Sequence, residues 1–130
     1  MKVSMQYAHH AHSESDLLGM MDAQEAIGAF DAINWHQQAA QAGKLKKVSP
    51  TLSAQKGSSL IWVSVSGDPP NIAFVSSYSF PGVVKRLFGL ISANGIVEKH
   101  RTDMSPQEAR NAIEAFAGDD ASALANLYNI

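Results

Sequence analysis

Three histidines near the amino terminus form the densest group of possible metal ligands in the chain. His9, His10 and His12 lie within four residues, and neutral imidazoles bind zinc, copper or nickel well. A specific site also needs rigid geometry and partners that orient each ring, and no pattern around these histidines indicates either. The sequence therefore favours a flexible arm or a short edge strand over residues 1–13, and it predicts no cofactor. Whether the histidines hold a metal ion is left to the structure.

Residues suited to nucleophilic catalysis are present but are not arranged in a known pattern. His100 and Asp103 lie close together, and with Ser77, Ser79 or Ser105 they could imitate a Ser-His-Asp triad. None of these serines lies in a nucleophile-elbow sequence, and a helix-capping role already explains Ser105. The chain also lacks a P-loop, a Gly-x-Gly-x-x-Gly stretch and a His-Glu-x-x-His stretch. The residues therefore favour a protein that is not an enzyme.

The bulk composition narrows the classes of protein that this chain can belong to. At 130 residues it has the usual length of a single domain. A net charge of −2 argues against a dedicated nucleic-acid binder, and no stretch approaches the roughly 18 apolar residues of a membrane span. The chain has no cysteine, which suits a reducing compartment. We therefore expect a cytoplasmic protein that does not contact a membrane.

Charge is distributed unevenly along the chain. Residues 43–101 carry eight Lys and Arg against two acidic residues, whereas residues 1–42 and 102–130 each have a net charge of −4. A basic cluster in the folded protein could attract an acidic partner. The plainer interpretation is that these are solvated turn and edge lysines, which discourage aggregation of strands.

The two acidic segments carry helical patterns. Asp22 and Glu25 have the spacing of a capping box, and apolar residues at helical spacing predict a helix over about 22–42, ended by Gly43. A short helix over 14–20 would fit before it. Near the carboxyl end, Ser105-Pro106-Gln107-Glu108 is a complete helix start, and Asp119 or Asp120 is a cap for a last short helix.

The basic segment carries strand patterns. Alternating residues predict strands over 51–55, 59–66 and 72–80, with the strongest turn signal at 67–71. Pro81-Gly82 should end the third of these strands. Residues 83–91 and 96–101 then predict two further strands joined by a hairpin turn at Ala93-Asn94-Gly95. The sequence thus predicts an α+β domain over residues 14–130, in which an antiparallel meander of four to five strands carries amino-terminal and carboxyl-terminal helices on one face.

The uncovered face of that sheet is the candidate binding surface. If Ile61, Val63 and Val65 are buried, then Leu60, Trp62 and Ser64 share the opposite face. An exposed tryptophan beside small polar residues is suited to anchor a partner. The predicted partner-binding residues on this face and on its basic rim are Trp62, Leu60, Ser64, Lys85 and Arg86.

Two functions are compatible with these residues. The first is a small protein–protein interaction domain, either an adaptor or an immunity-type inhibitor, which binds another protein of acidic character or a second copy of itself. The second is a small enzyme or ligand-binding domain with a pocket between helices and sheet, where His100, Asp103, Tyr78 and Trp62 would supply the polar groups. A pocket holding a buried titratable group would favour the second function, and an exposed patch around Trp62 would favour the first.

Overall fold

Six strands and four helices make up the part of the chain that the computed structural model describes, residues 1–86 and 91–130. The strands form one antiparallel sheet in the order β2-β1-β3-β4-β5-β6. The predicted α+β class with an antiparallel sheet is confirmed. In chain order the elements are β1 (Lys2–Gln6), β2 (Asp16–Met20), α1 (Ala23–Ala32), α2 (Trp35–Leu45), β3 (Thr51–Lys56), β4 (Ser59–Ser66), β5 (Ala73–Arg86), β6 (Ile91–Met104), α3 (Pro106–Ala117) and α4 (Ala121–Tyr128).

The sheet is larger than the sequence predicts because the amino-terminal residues belong to it. Residues 2–6, which we expected in an arm or at an edge, form β1 between β2 and β3. Val3 and Met5 are fully buried there. Alternate residues of a strand point to the same face of the sheet, so one covered face buries both side chains. The expected helix at 14–20 is instead the edge strand β2, in which Gly19 has a φ of +132° that a helix cannot accommodate. The count of four to five strands is therefore wrong: β1 and β2 are added, and the region of the five predicted strands forms four.

The helix expected over 22–42 is two helices. Its capping box is present, because Asp22 accepts from the Glu25 backbone N–H at 2.8 Å and Glu25 accepts from the Asp22 N–H at 3.3 Å. The helix ends at Ala32, and Asn34 starts the next one by accepting a hydrogen bond from the N–H of Gln37 at 3.1 Å. Gly43 does not end α2, which continues to Leu45.

The carboxyl-terminal helices begin where their caps indicate. Ser105 and Glu108 form a reciprocal capping box at the start of α3, with Pro106 as the first helical residue. Asp120 caps α4 by accepting from the Ala123 N–H at 3.1 Å. Here local side-chain chemistry suffices to set the helix boundaries.

All four helices pack on the same face of the sheet. Phe30 of α1 and Trp35 of α2 contact Phe74, with ring centroids 5.8 and 5.1 Å away. Phe116 of α3 lies 6.0 Å from the ring of Tyr78, and Tyr128 of α4 accepts or donates a 2.6 Å hydrogen bond with Ser76. Phe74, Ser76 and Tyr78 are alternate residues of β5, so they share one face. The opposite face carries no helix among the described residues.

The last hairpin extends beyond the sheet. β4 pairs with β5 only as far as Leu60 opposite Ser79, whereas β5 and β6 continue to pair from Phe80 opposite Val97 to Arg86 opposite Ile91. We call this two-stranded extension, residues 80–86 and 91–97, the arm. At 3.3 Å per residue its seven-residue strands reach roughly 20 Å past β4.

Two expectations about this region are wrong. Pro81-Gly82 does not end β5, and Ala93-Asn94-Gly95 is not a hairpin turn but lies within β6. Gly82 faces Gly95 in this pairing, and Asn94 faces Val83. A Cβ atom on Gly82 would come within 2.8 Å of Val97 Cγ2, so glycine serves close packing here rather than chain reversal.

Candidate functional site: the open face of the sheet

We call the face without helices the open face. Strand pairing aligns residues of neighbouring strands into rows that cross this face. Strand pairing places Leu17, Ser4, Ser53, Trp62, Ser77 and His100 side by side in one row. The neighbouring row contains Met20, Lys2, Gln55, Leu60, Ser79 and Glu98. The predicted alternation of β4 is confirmed, because Ile61, Val63 and Val65 are buried on the helix side.

A groove of about 600 Å³ lies on this face. Its floor consists of small hydroxyl side chains and one aromatic ring, from Thr51, Ser53, Trp62 and Ser64. One wall is the loop of residues 12–15. That wall is fixed to the sheet by Gln6, whose amide nitrogen lies within hydrogen-bond distance of three loop carbonyl oxygens at 3.0 to 3.4 Å.

Exposed apolar side chains concentrate on the open face. Among the described residues, six large apolar side chains are exposed. Four of them lie on this face: Leu17 at 63%, Met20 at 74%, Leu60 at 36% and Ile96 at 54%. Ile96 belongs to the group because it pairs with Pro81, two residues beyond Ser79 on the same side of β5. Single exposed apolar residues are ordinary on protein surfaces, but several on the same face indicate a surface that binds another molecule.

The structure separates the five predicted partner-binding residues. Trp62 and Leu60 lie on the open face and are partly exposed. Ser64 lies in the groove floor but is only 4% exposed, and its hydroxyl contacts the Pro50 carbonyl at 3.1 Å and Thr51 Oγ1 at 2.9 Å.

Lys85 and Arg86 lie in the arm, six or more residues beyond the end of the β4 pairing. Their side chains are outside the described part of the structure. The backbone therefore does not bring these two residues to the groove.

Part of the basic middle segment serves the fold itself. Lys56 contacts Asp119 at 2.7 Å and lies over the ring of Phe116. Arg101 pairs with Glu108 and donates to the Leu127 carbonyl at 3.1 Å. These two cations join the sheet to the helices, on the side away from the groove.

A smaller group of lysines remains beside the groove. Lys44, Lys46 and Lys47 are exposed at the end of α2, two residues before Ser49, which lines the groove. We call these three lysines the basic rim; Lys2, in the row of Leu60, is a further exposed cation on the open face itself.

The groups expected to resemble a triad are arranged differently. Glu98 Oε1 accepts from the Ser77 hydroxyl at 3.2 Å and lies 3.2 Å from His100 Nε2. Ser77 and His100 are cross-strand neighbours, but each contacts the carboxylate and no hydrogen bond joins them in the described residues, whereas a nucleophilic serine needs the imidazole as its direct proton acceptor. Asp103 is exposed with a φ of +54°, and Tyr78 lies on the helix side. The polar groups proposed for an enzyme pocket do not converge.

Among the amino-terminal histidines, His10 makes contacts that support the fold. His10 is 7% exposed, its Nδ1 accepts from the Tyr7 N–H at 3.0 Å, and its Nε2 lies 3.4 Å from Asp16. The rings of His9 and His10 are 4.5 Å apart. Within residues 1–86 and 91–130, no group of three or more possible ligands is placed to hold a metal ion. His10 thus joins the turn that begins at Tyr7 to Asp16, the first residue of β2.

Sequence reasoning missed the apolar part of this surface outside β4. A helix over 14–20 has no fixed relation to the sheet, so that prediction does not place Leu17 and Met20 on it. The predicted turn at Ala93-Asn94-Gly95 puts Ile96 at the start of a strand, rather than within a long hairpin. Recognising Gly19 as a helix breaker would have indicated the strand.

Comparison with known proteins finds no match to this chain among protein-family models, curated proteins or solved structures. None of the helices in the described ranges combines the length and hydrophobicity that crossing a membrane would require.

Proposed function

We propose that this protein is a non-enzymatic protein–protein interaction domain that binds its partner through the open face. The observation that carries this proposal is the placement of Leu17, Met20, Leu60 and Ile96 on one face together with Trp62. Tryptophan near the centre of a contact surface, surrounded by less critical contacts, is the usual composition of a binding hot spot.

The chemistry of the face supports one kind of partner. An apolar side chain of the partner would pack on Trp62 and Leu60, while the serine and threonine hydroxyls of the floor would bond to its polar groups. Carboxylates of the partner would meet Lys44, Lys46 and Lys47 at the rim, so an acidic protein is favoured. An adaptor or an immunity-type inhibitor fits this description, and a cysteine-free chain of this kind fits a cytoplasmic location.

The second candidate is a ligand-binding domain that uses the same groove. Its volume of about 600 Å³ lies in the range that holds small molecules, and a tryptophan beside several hydroxyls could stack on a flat or ring-shaped polar ligand. The groove differs from the pocket expected between helices and sheet. Its lining includes His12 and Glu14, and among the described residues no hydrogen bond joins either side chain to a serine or threonine hydroxyl.

Affinity capture from the native host followed by mass spectrometry identifies the partner, and binding is then measured with both proteins purified. We expect Trp62→Ala to weaken binding about 30-fold, the effect of losing roughly 2 kcal/mol at a hot spot. Trp62→Ala should change the melting temperature little.

The double variant Lys46→Glu with Lys47→Glu should slow association with the partner, and added salt should reduce that effect.

Trp35 is the matched control for Trp62. It is only 7% exposed, and its indole N–H donates to the Phe30 carbonyl at 3.1 Å, so Trp35→Ala should lower the free energy of unfolding by about 3–5 kcal/mol. If Trp62→Ala destabilises the fold to the same extent and binding to the purified partner is unchanged, Trp62 is a packing residue and the proposal is wrong. A small molecule that co-purifies and is lost in Trp62→Ala would favour the second candidate.

A further inference from the structure

One edge of the sheet is protected by charge along only half of its length. β6 is the terminal strand of the sheet, so one side of its backbone has no neighbouring strand in the described structure. Residues 98–103 carry five ionisable side chains, which is how natural proteins discourage pairing at an edge. Residues 91–97, Ile-Ser-Ala-Asn-Gly-Ile-Val, carry none. The unprotected half is the part that lies in the arm.

The arm also lacks the support that the rest of the hairpin has. From residue 80 onward β5 has no pairing with β4, so the arm is a two-stranded ribbon. A two-stranded hairpin is marginal by itself in water, and additional strands make it stable. The arm is therefore a place where a further strand would be stabilising.

We infer that two copies of this chain pair through the arm segments 91–97 of β6, antiparallel and edge to edge, around a twofold axis at Asn94. In a continuous sheet, residues that pair across two strands point to the same face. A twofold axis perpendicular to the sheet therefore pairs one residue with its own copy, and the axis lies between those two residues. A register centred on Glu98 or Lys99 would place like charges opposite each other. The register centred on Asn94 aligns 91–97 with 97–91 of the second copy, and every position in it is uncharged.

This arrangement has a geometrical consequence for the open face. A twofold axis perpendicular to the sheet keeps each face on its own side, so the two six-stranded sheets would join into one of twelve strands. Both Trp62 side chains would then lie on the same side of the dimer. The inference stands without the proposed function, because self-association is measured in the absence of any partner.

Charge variants at Asn94 test the register. Asn94 is exposed, so Asn94→Asp and Asn94→Lys should leave the monomer folded. Each variant alone places two like charges at the axis and should weaken dimerisation about tenfold. A mixture of the two variants should recover it, as sedimentation or light scattering would show. Asn71→Asp and Asn71→Lys, in the exposed turn between β4 and β5, are matched controls that should not change the mass.

Cross-linking provides an independent measurement, because the native chain has no cysteine. Asn94→Cys would place two thiols on directly opposite residues, at a Cα separation that a disulfide can bridge. Mild oxidation should therefore give a covalent dimer of Asn94→Cys but not of Asn71→Cys.

The inference is wrong if the wild-type chain is a monomer at high concentration, or if Asn94→Cys cross-links no faster than Asn71→Cys. It is equally overturned if the wild type is monomeric and its arm binds lipid vesicles, since the uncharged segment would then serve a membrane surface.

Discussion

At the level of single residues, a buried hydroxyl pair connects the helical layer to the strand that carries Trp62. Ser76 Oγ donates to the Trp62 carbonyl at 2.7 Å and lies 2.6 Å from the Tyr128 hydroxyl. Tyr128 is 4% exposed, and burial raises the pKa of its phenol to about 12. Residues on the two faces of the sheet are thus linked through the backbone of β4.

The raised pKa of Tyr128 predicts a loss of stability at alkaline pH. The unfolded chain releases the phenolic proton near pH 10, while the folded chain retains it to about pH 12. The folded state therefore binds more protons in this interval, so the free energy of unfolding falls as the pH rises. The contribution of Tyr128 is about 2–3 kcal/mol, since one pKa unit corresponds to roughly 1.4 kcal/mol.

Two variants isolate this effect in melting temperatures measured between pH 8 and pH 12. Tyr128→Phe should be less stable than the wild type at pH 8 by about 1 kcal/mol, because a buried hydrogen bond is lost, but its stability should decline less above pH 10. Ser76→Ala removes the same hydrogen bond and keeps the phenol, so it should retain the decline. Identical slopes in the wild type and Tyr128→Phe would contradict the assignment.

Residue chemistry is also the scale at which the sequence was most informative about the site. The alternation of β4 suffices to place Trp62 and Leu60 on one face, because strand geometry leaves no other choice. It does not reveal that the Ser64 hydroxyl bonds to Pro50 and Thr51, or that Ser77 and His100 each contact Glu98. Those contacts depend on cross-strand register, which a single strand pattern does not contain.

At the level of elements, the helix starts were predictable and several boundaries between helix and strand were not. Ser105 with Glu108, and Asp22 with Glu25, satisfy backbone N–H groups within a few residues, so their signal is local. The helix prediction for 14–20 is wrong because seven residues carry too few positions to separate the two periods. Asn94-Gly95 resembles a hairpin turn, but continued pairing to Lys85 opposite Ser92 outweighs that local preference.

The capping box of α3 predicts a measurable contribution to stability. Ser105→Ala removes the acceptor of the Glu108 N–H and should lower the free energy of unfolding by about 1 kcal/mol. Thermal unfolding should then show a melting temperature about 4 °C lower for a domain of this size. Ser105→Asp keeps an acceptor at this position and should restore most of the loss. Ser58→Ala, at an exposed turn serine, is the control that should have no effect.

At the level of the whole molecule, pairing between segments accounts for part of the uneven distribution of charge, since two of the eight cations in residues 43–101 contact acids of the carboxyl-terminal segment. Cations of the basic middle segment contact acids of the carboxyl-terminal one, as in Lys56 with Asp119 and Arg101 with Glu108. The prediction of a basic sheet between two acidic helical segments holds only in part, because β1 and β2 of the first acidic segment are strands of that sheet. The stronger expectation that the basic residues form one binding patch now applies to the rim lysines alone, which the sequence could not separate from the paired cations.

The same pairing predicts how the whole fold responds to acid. Asp31 of α1 accepts two hydrogen bonds from Arg110 of α3, at 2.9 and 3.1 Å, and these bonds hold the pKa of Asp31 below its ordinary value. The hydrogen bond from the Ser105 backbone, with Arg101 beside it, lowers the pKa of Glu108.

A lowered pKa means that the unfolded chain binds protons first as the pH falls. The stability that these carboxylates contribute is therefore complete above the ordinary carboxyl range, about pH 4, and is lost as the pH decreases through it. Melting temperatures of the wild type should therefore decline steeply below about pH 4, and high salt should reduce the difference in stability between pH 7 and pH 3.

Asp31→Asn combined with Glu108→Gln should lower the melting temperature at pH 7 and flatten the decline below pH 4, because neither replacement titrates. Asp68→Asn, at an exposed turn residue away from both pairs, is the matched control. A double variant whose stability declines as steeply as that of the wild type would show that other carboxylates determine the acid response.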